Sequence, residues 1–171
     1  SASVEKSFPD TLRIILSSRK PLGLSFTVMN GVNTPLVFDE EGVVFQAGLS
    51  EETAGMPVVS GLKFEDFNIG NKLPEKLLPL LEDLKELKLS SPVLYSLISE
   101  IRVSPRSDGG IDIILYPIHK RLPVRIGSSI DKEMFTSILR VMDVLDRQGA
   151  IDSMEEIDFR SGEIVYIMKE G

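Results

Sequence analysis

The chain contains no cysteine, no tryptophan and a single histidine among its 171 residues. Without cysteine it has no disulfide, no thiolate nucleophile and no cysteine-based zinc site. His119 lies in the basic segment His119-Lys120-Arg121, and the chain has no second histidine that could share a metal. We therefore interpret His119 as a solvated turn residue and expect no bound metal or cofactor.

Positive charge and long apolar runs are also scarce. Lysine and arginine total 19 against 26 acidic residues, which gives a net charge of -7, and the basic residues are scattered rather than clustered. A nucleic acid partner is therefore not expected. No apolar run reaches the 18 or so residues of a membrane span. With 42% hydrophobic residues, the composition predicts a globular domain with one real core.

The first half of the chain reads as short strands followed by one helix. Extended segments are predicted at residues 11–16, 22–29, 36–38 and 43–45, the last two joined by a hairpin turn at Asp39-Glu40-Glu41-Gly42. Leucines spaced three or four apart between residues 73 and 87 then predict an amphipathic helix. Pro79 lies inside that pattern and should kink the helix or delay its start.

The second half alternates hairpins with a long helix. Residues 101–103 and 111–115 flank Ser107-Asp108-Gly109-Gly110, a strong hairpin signal, and a further strand is predicted at residues 122–126. Residues 131–148 are the clearest helix, with Ser129 or Asp131 as its N-cap. A closing hairpin joins residues 157–159 and 164–168. The pattern predicts an α+β fold: a mostly antiparallel sheet with two or three helices.

The last predicted strand is apolar at every position from Ile164 to Met168. A strand with one face in water should alternate, so a continuous apolar run indicates that both faces need cover. Two interpretations fit. The run is a central strand buried in its own domain, or it is an edge strand that packs one face on the domain and leaves the rest to a partner.

Motifs for catalysis are weak. A Ser-x-x-Lys spacing occurs twice, at Ser17/Lys20 and Ser129/Lys132, but without the companion motifs of penicillin-interacting enzymes. The acidic clusters Asp39-Glu40-Glu41 and Glu51-Glu52 lack the ligand spacing of a calcium loop, so we interpret them as solvated loops. We therefore expect no enzymatic activity and no small-molecule substrate.

Five segments, in order along nearly the whole chain, carry a family resemblance. They are SASVEKSFPDTLRIILSSRKPL, LVFDEEGVVF, MPVVSGL, LPVRIG and IDFRSGEIV. The first resembles the final strand of the POTRA module of the bacterial division proteins FtsQ and DivIB, and the others resemble successive parts of that family's β domain. The resemblance implies that residues 1–22 are the C-terminal strand of a truncated POTRA module and that residues 23–171 form an FtsQ/DivIB-type β domain.

The resemblance also implies a function. In that family the β domain is non-enzymatic and binds small coiled-coil division proteins, FtsB and FtsL or DivIC-type counterparts, in the complex that controls septal peptidoglycan synthesis. It implies an extracytoplasmic, periplasmic domain of an inner-membrane protein, anchored by an N-terminal membrane helix upstream of Ser1. Partner binding is similar to strand addition at the last strand of the sheet.

Carried over residue by residue, the family's partner-binding site falls on the end of the chain. The predicted site residues are Arg160, Ser161, Gly162, Glu163, Ile164, Val165, Tyr166 and Ile167. The family often has a tyrosine after the arginine, which has no counterpart here, and Tyr166 is a candidate substitute. Two other functions stay open: an interaction module of another POTRA-bearing family, and a cryptic cell-wall hydrolase, which would need a cleft with convergent carboxylates.

Overall fold

A computed structural model describes residues 2–7, 10–16, 18–62, 69–118, 122–161 and 163–169. Within these residues the chain forms a two-stranded hairpin and a nine-stranded sheet with a small number of helices. This confirms the predicted α+β class. None of the helices in the described part of the chain is long and apolar enough to cross a membrane.

Eleven strands are seen in the described residues. The small hairpin pairs β1 (Ala2–Ser7) with β2 (Thr11–Leu16). The strands of the large sheet are, in chain order, β3 (Pro21–Met29), β4 (Val32–Asp39), β5 (Val44–Ala47), β6 (Val58–Ser60), β7 (Ile98–Pro105), β8 (Ile111–Pro117), β9 (Val124–Gly127), β10 (Met154–Asp158) and β11 (Val165–Met168). Their spatial order is β11-β10-β9-β8-β7-β6-β3-β4-β5.

Most neighbours in the sheet are antiparallel, as predicted. The parallel exceptions are β3 with β6, β6 with β7, and β9 with β10. The short β6 is inserted between β3 and β7, and it joins the early hairpins to the later ones. A one-residue bulge between Pro21 and Gly23 shifts the register of β3 against β4.

The helices are α1 (Leu78–Ser90), α2 (Pro92–Ser96) and α3 (Lys132–Arg147), with short 3-10 turns at Glu51–Thr53, Glu75–Leu77 and Ile151–Ser153. Pro79 lies in the first turn of α1, so the prediction that it delays the helix start is confirmed. Asp131 is the N-cap of α3 and accepts a hydrogen bond of 2.7 Å from the Met134 backbone N–H.

One buried cluster joins the helices to the sheet. Leucines at three- and four-residue spacing on α1 and apolar residues on one face of α3 pack against strands β3 to β10. Its fully buried members include Leu36, Phe38, Leu80, Leu84, Ile101, Ile113, Leu115, Phe135 and Ile138. Each such side chain contributes about 1.5 to 3 kcal/mol relative to exposure.

Several details differ from the sequence interpretation. The turn between β3 and β4 was not predicted, although Asn30-Gly31 is a standard hairpin signal and both residues have positive φ. Strand β1 and helix α2 were also not predicted. The predicted domain boundary after residue 22 falls inside β3, which begins at Pro21. The assignment of residues 1–22 to a POTRA module stays a prediction.

Asp39 corrects the interpretation of the first acidic cluster as a solvated loop. Its side chain is buried, and one carboxylate oxygen accepts hydrogen bonds from the backbone N–H groups of Glu41 and Val43. Arg19 donates to the other oxygen. A buried carboxylate with these donors organises the β4–β5 turn and attaches the start of the large sheet to it.

Candidate partner-binding edge

Strand β11 forms one outer edge of the nine-stranded sheet. It pairs antiparallel with β10, and no strand lies on its other side in the part of the chain that the structure describes. The interpretation of residues 164–168 as a central buried strand is therefore wrong. The continuous apolar run is at a sheet edge, where backbone hydrogen-bonding groups are left unpaired.

The side chains of this edge are exposed on both faces. Ile164, Val165, Tyr166, Ile167 and Met168 are between 39% and 53% exposed. We expected one face of the strand to pack on the domain, and that expectation is wrong. The physical reason is position: the cover that the helices give the sheet ends at β10, whose apolar side chains are buried, and β11 lies one strand further out.

The register shows which backbone groups of β11 point outward. Ile157 and Phe159 donate their N–H groups toward β9, at 3.0 Å to the Pro123 carbonyl and 2.9 Å to the Arg125 carbonyl. Backbone direction alternates along a strand, so Asp158, between them, faces β11. Its partner is Val165.

The same alternation assigns the rest of the edge. Glu156 also faces β11, where its partner is Ile167, and the Lys169 N–H donates to the Ser153 carbonyl at 3.0 Å. Odd-numbered residues of this strand therefore direct their backbone groups inward. Ile164, Tyr166 and Met168 direct theirs outward, to the side where a further strand could pair.

The two faces of β11 meet different surroundings. Tyr166 pairs with Ile157, which is fully buried in the core, so its side chain lies on the face of the sheet that carries the core. Val165 and Ile167 lie on the opposite face, beside Asp158 and Glu156. An added strand would therefore contact apolar side chains on both of its own faces.

The opposite edge of the sheet is covered. Residues 70–73 run along the beginning of β5: Gly70 donates to the Val44 carbonyl at 2.7 Å, and Val44 donates to the Asn71 carbonyl at 2.9 Å. A bridge between Val43 and Lys72 continues this pairing. The β5 edge is thus paired at its beginning, whereas the edge at β11 has no such pairing in the described residues, and the family resemblance places partner binding at β11.

Arg160 holds the turn that leads into β11. Its guanidinium donates to the Asp158 carboxylate at 2.7 and 3.1 Å, and its backbone N–H donates to the same carboxylate at 2.9 Å. These hydrogen bonds hold the pKa of Asp158 below its usual value and raise that of the arginine. The predicted arginine is therefore bonded within its own chain.

A second carboxylate reaches the same arginine from β8. Arg160 donates to Asp112 Oδ2 at 3.2 Å, and Arg125 and Arg106 lie 3.6 and 3.8 Å from that carboxylate. Arg125 also donates to Glu156 at 2.8 and 3.0 Å. Asp112 is 9% exposed, and its Oδ1 is buried without a hydrogen-bond partner in the described residues.

The predicted site residues are close together, with one outside the described part. Arg160 and Ser161 form the turn, Glu163 and Ile164 lead out of it, and Val165, Tyr166 and Ile167 lie in β11. Gly162 lies outside the described residues. Three neighbours were missed: Met168, Asp158 and Asp112. The signal for the last was visible, because Asp112 is a lone acid inside the apolar strand IDIIL.

The other candidate residues do not assemble into a site in the described part of the chain. Ser129 precedes α3, whose first residue is Lys132, and Asp131 rather than Ser129 is the cap. Ser17 and His119 lie outside the described residues. No group of three or more histidine, aspartate or glutamate side chains that could hold a metal ion occurs among the described residues.

A cavity of about 220 Å³ lies between the end of β8 and α3. Its walls are mainly apolar and include Leu139 and Met142, with Asp143 and Asp146 at its rim. Asp143 is bonded to Arg147 at 2.8 Å, and the lining residues that the structure describes include no serine, histidine or lysine. The cavity has two carboxylates, as a cell-wall hydrolase would need, but one of them is paired with Arg147.

The fold and the edge define the class: an α+β chain built on a mixed nine-stranded sheet with one exposed apolar edge strand. The chain is 29% identical to the cell division protein FtsQ of Anaeromyxobacter sp. (strain K) over 170 residues, which cover 94% of this chain. This confirms the resemblance carried by the five segments: the chain is similar to cell-division proteins of the FtsQ/DivIB family. It spans about half, 51%, of the length of that relative.

Two further comparisons concern protein-family profiles and solved structures. No protein-family profile matches the chain. The major extracytoplasmic domain of the division protein DivIB from Geobacillus stearothermophilus is a structural neighbour with a TM-score of 0.46 and 18% identity. The match covers 77% of this chain and 97% of that domain.

Proposed function

We propose that this domain is a non-enzymatic scaffold of the bacterial division complex that binds a small coiled-coil division protein at β11. The partner is of the FtsB/FtsL or DivIC type, and binding helps to control septal peptidoglycan synthesis. The similarity to a cell division protein over nearly the whole chain supports the division role. We further propose that the domain works outside the cytoplasm, as part of a protein of the inner membrane.

The observation that carries this proposal is the open edge itself. Ile164, Tyr166 and Met168 direct their backbone groups away from β10, and the side chains of the strand are exposed and apolar on both faces. Native proteins usually protect such an edge with charge, proline or cover, because it accepts any compatible strand. The apolar edge here is neither interrupted by proline nor covered in the described residues, which fits a surface kept for strand addition.

Proline substitution tests this mode of binding, because it removes a single backbone donor. Tyr166→Pro removes an outward N–H and places the proline ring where an added strand would lie, so the domain should stay folded and lose binding. Val165→Pro is the matched control, since it removes a donor that faces β10 and should loosen β11 itself. Each lost hydrogen bond costs roughly 0.5 to 1.5 kcal/mol.

The measurement is titration of the extracytoplasmic segment of an FtsB-like or DivIC-like protein, together with thermal melts of both variants. We expect Tyr166→Pro to melt like the unsubstituted domain and to bind at least about tenfold more weakly. Normal binding by a folded Tyr166→Pro variant would show that strand addition does not occur at this edge.

A further inference from the structure

The arginine before β11 lies across three strands. Arg160 follows β10, its Cγ lies 3.8 Å from the position that a Cβ on Gly127 would take at the end of β9, and its guanidinium reaches Asp112 on β8. The side chain therefore runs back over the sheet instead of projecting from the turn. A Cβ at Gly127 would meet the Arg160 side chain at ordinary van der Waals distance, so the arginine passes directly over the end of β9.

Every guanidinium nitrogen of Arg160 has a partner within the chain. Nε and Nη2 donate to Asp158, and Nη1 donates to Asp112. An acidic residue on a bound strand would therefore meet a guanidinium whose charge is already compensated by two carboxylates. The geometry favours a different role for the arginine, in which it fixes the turn from which β11 begins.

Asp112 is placed to anchor that arrangement. It is a nearly buried acid in an otherwise apolar strand, and arginines from the β7–β8 turn, from β9 and from the turn before β11 surround it. Because three arginines from different parts of the sheet lie around this one carboxylate, its negative charge links those parts to one another. Neutralising Asp112 would remove the one carboxylate that these three guanidinium groups share, while each keeps its second partner, Asp108, Glu156 or Asp158.

We propose that Asp112 is a positioning residue for the partner-binding edge, acting through Arg160 to hold β11 in register against β10. This inference rests on the proposed function for its consequence in binding. The bonds from Arg160 to Asp112 and to Asp158, called the brace from here on, are present in the free domain. Arg160 thus contributes to binding by presenting the edge strand, and it makes no direct ion pair with the partner.

Hydrogen exchange of the free domain tests the brace without any partner. In Asp112→Asn the backbone N–H groups of Val165 and Ile167, which face β10, should exchange about three to ten times faster, with the strands β3 and β4 unchanged. Arg160→Gln should give the same pattern, and as a half-exposed turn substitution it should not prevent folding. Asp108→Asn is the matched control, because Asp108 is paired with Arg106 but does not touch Arg160.

A double-mutant cycle then separates positioning from direct contact. If Arg160 acts through Asp112, Asp112→Asn and Arg160→Gln should weaken capture of the FtsB-like or DivIC-like segment by similar factors. The double variant should be no weaker than either single variant. If Arg160 instead contacts an acid on the partner, Asp112→Asn should leave binding unchanged or stronger, and the positioning role is overturned.

Partner binding and hydrogen exchange test the proposed function and the brace separately. Absence of binding by the unsubstituted domain would contradict the proposed function, while the exchange rates at Val165 and Ile167 still decide whether the brace exists. Unchanged exchange in both Asp112→Asn and Arg160→Gln would overturn the brace, whatever the partner does. Faster exchange spread evenly over the whole sheet would also overturn it, because that pattern indicates general destabilisation.

Discussion

At the scale of single residues, acidic side chains do the most to shape the candidate site. Asp158 and Asp112 hold Arg160 on the open face of the sheet, and Asp39 organises a turn elsewhere by the same kind of bonding. Each is short, charged and at least half withdrawn from water, so each must be satisfied by nearby donors. These carboxylates therefore hold turns and neighbouring strands in position.

The pKa of Asp158 reports on its hydrogen bonds with Arg160. The pKa of this carboxyl lies below its ordinary value of 3.8, chiefly because of the hydrogen bonds from Arg160. A lowered pKa in the folded state means that the ion pair stabilises the turn above the unfolded-state pKa. That contribution is lost as the pH falls through the folded-state pKa.

We expect Arg160→Gln to move the pKa of Asp158 up toward 3.8, as followed by carboxyl-carbon NMR. Asp108 is the control, because its pKa is lowered first of all by the Gly110 backbone N–H and should not respond. A pKa of Asp158 that stays low in Arg160→Gln would mean that another donor holds its charge.

At the scale of secondary-structure elements, the short strand β6 is held by a close backbone approach at its end. Gly61 follows β6 with a φ of +81°, and a Cβ on it would lie 2.1 Å from the Val103 carbonyl oxygen on β7. No side chain fits there without moving one of the two backbones.

Gly61→Ala should therefore destabilise the domain more than an alanine at another positive-φ glycine. Gly31 is the matched control, since its φ is +79° but nothing lies within 4 Å of the added Cβ. We expect about 1 to 2 kcal/mol for Gly31→Ala and about 2 kcal/mol more for Gly61→Ala, measured by chemical denaturation. Equal losses would show that backbone strain alone sets the cost.

Element types were more predictable from the sequence than their arrangement. Periodicity and turn residues predicted α3, the hairpin of β7 and β8, and the late start of α1. Sequence pattern carries no direct information about the placement of β6 between β3 and β7, because parallel neighbours are joined by long connections. The exposed edge at β11 follows from that strand order, so an apolar run alone could not distinguish an edge from a centre.

The outward direction of Tyr166 also lay beyond the sequence. It depends on how β10 pairs with β9 and on the register of β11 against β10, both of which are set by tertiary contacts. The contact of Arg160 with Asp112 joins residues 48 apart in the chain. Family resemblance supplied the candidate site at β11, and the structure added neighbouring residues such as Asp112 and Asp158.

At the scale of the whole molecule, the N-terminal hairpin and the large sheet are separate β structures. Strands β1 and β2 pair only with each other in the described residues, and Val4, Leu12 and Ile14 on one face of the hairpin are about 60% exposed. A two-stranded hairpin whose apolar face is not covered by other structure is only marginally stable by itself. The large sheet, in contrast, has its own buried core.

The contacts that hold the N-terminal part of the chain to the large sheet begin after the hairpin. Arg19 bonds Asp39, Lys88 donates to the Pro21 carbonyl at 2.6 Å, and the Tyr95 hydroxyl donates to the Leu22 carbonyl at 2.5 Å. Leu22 itself is buried. These contacts favour a structural boundary before Arg19, while the assignment of residues 1–22 to a POTRA module stays a prediction.

Two truncations test this boundary against each other. A chain that starts at Ser18 lacks the hairpin but keeps Arg19, Pro21 and Leu22, and its unfolding free energy should stay within about 1 kcal/mol of the full chain, since little stability resides in an isolated hairpin. A chain that starts at Leu24 loses the buried Leu22 and both carbonyl contacts. It should be less stable by about 3 kcal/mol or more.

Denaturant titration of the three chains gives the comparison, and binding of the FtsB-like or DivIC-like segment gives an independent readout. We expect the chain from Ser18 to bind like the full chain, because β11 lies at the far edge of the sheet from β5 and belongs to the larger unit. If the two truncations lost equal stability, the hairpin and the sheet would form one cooperative unit, and the division of the chain near residue 20 would have to be abandoned.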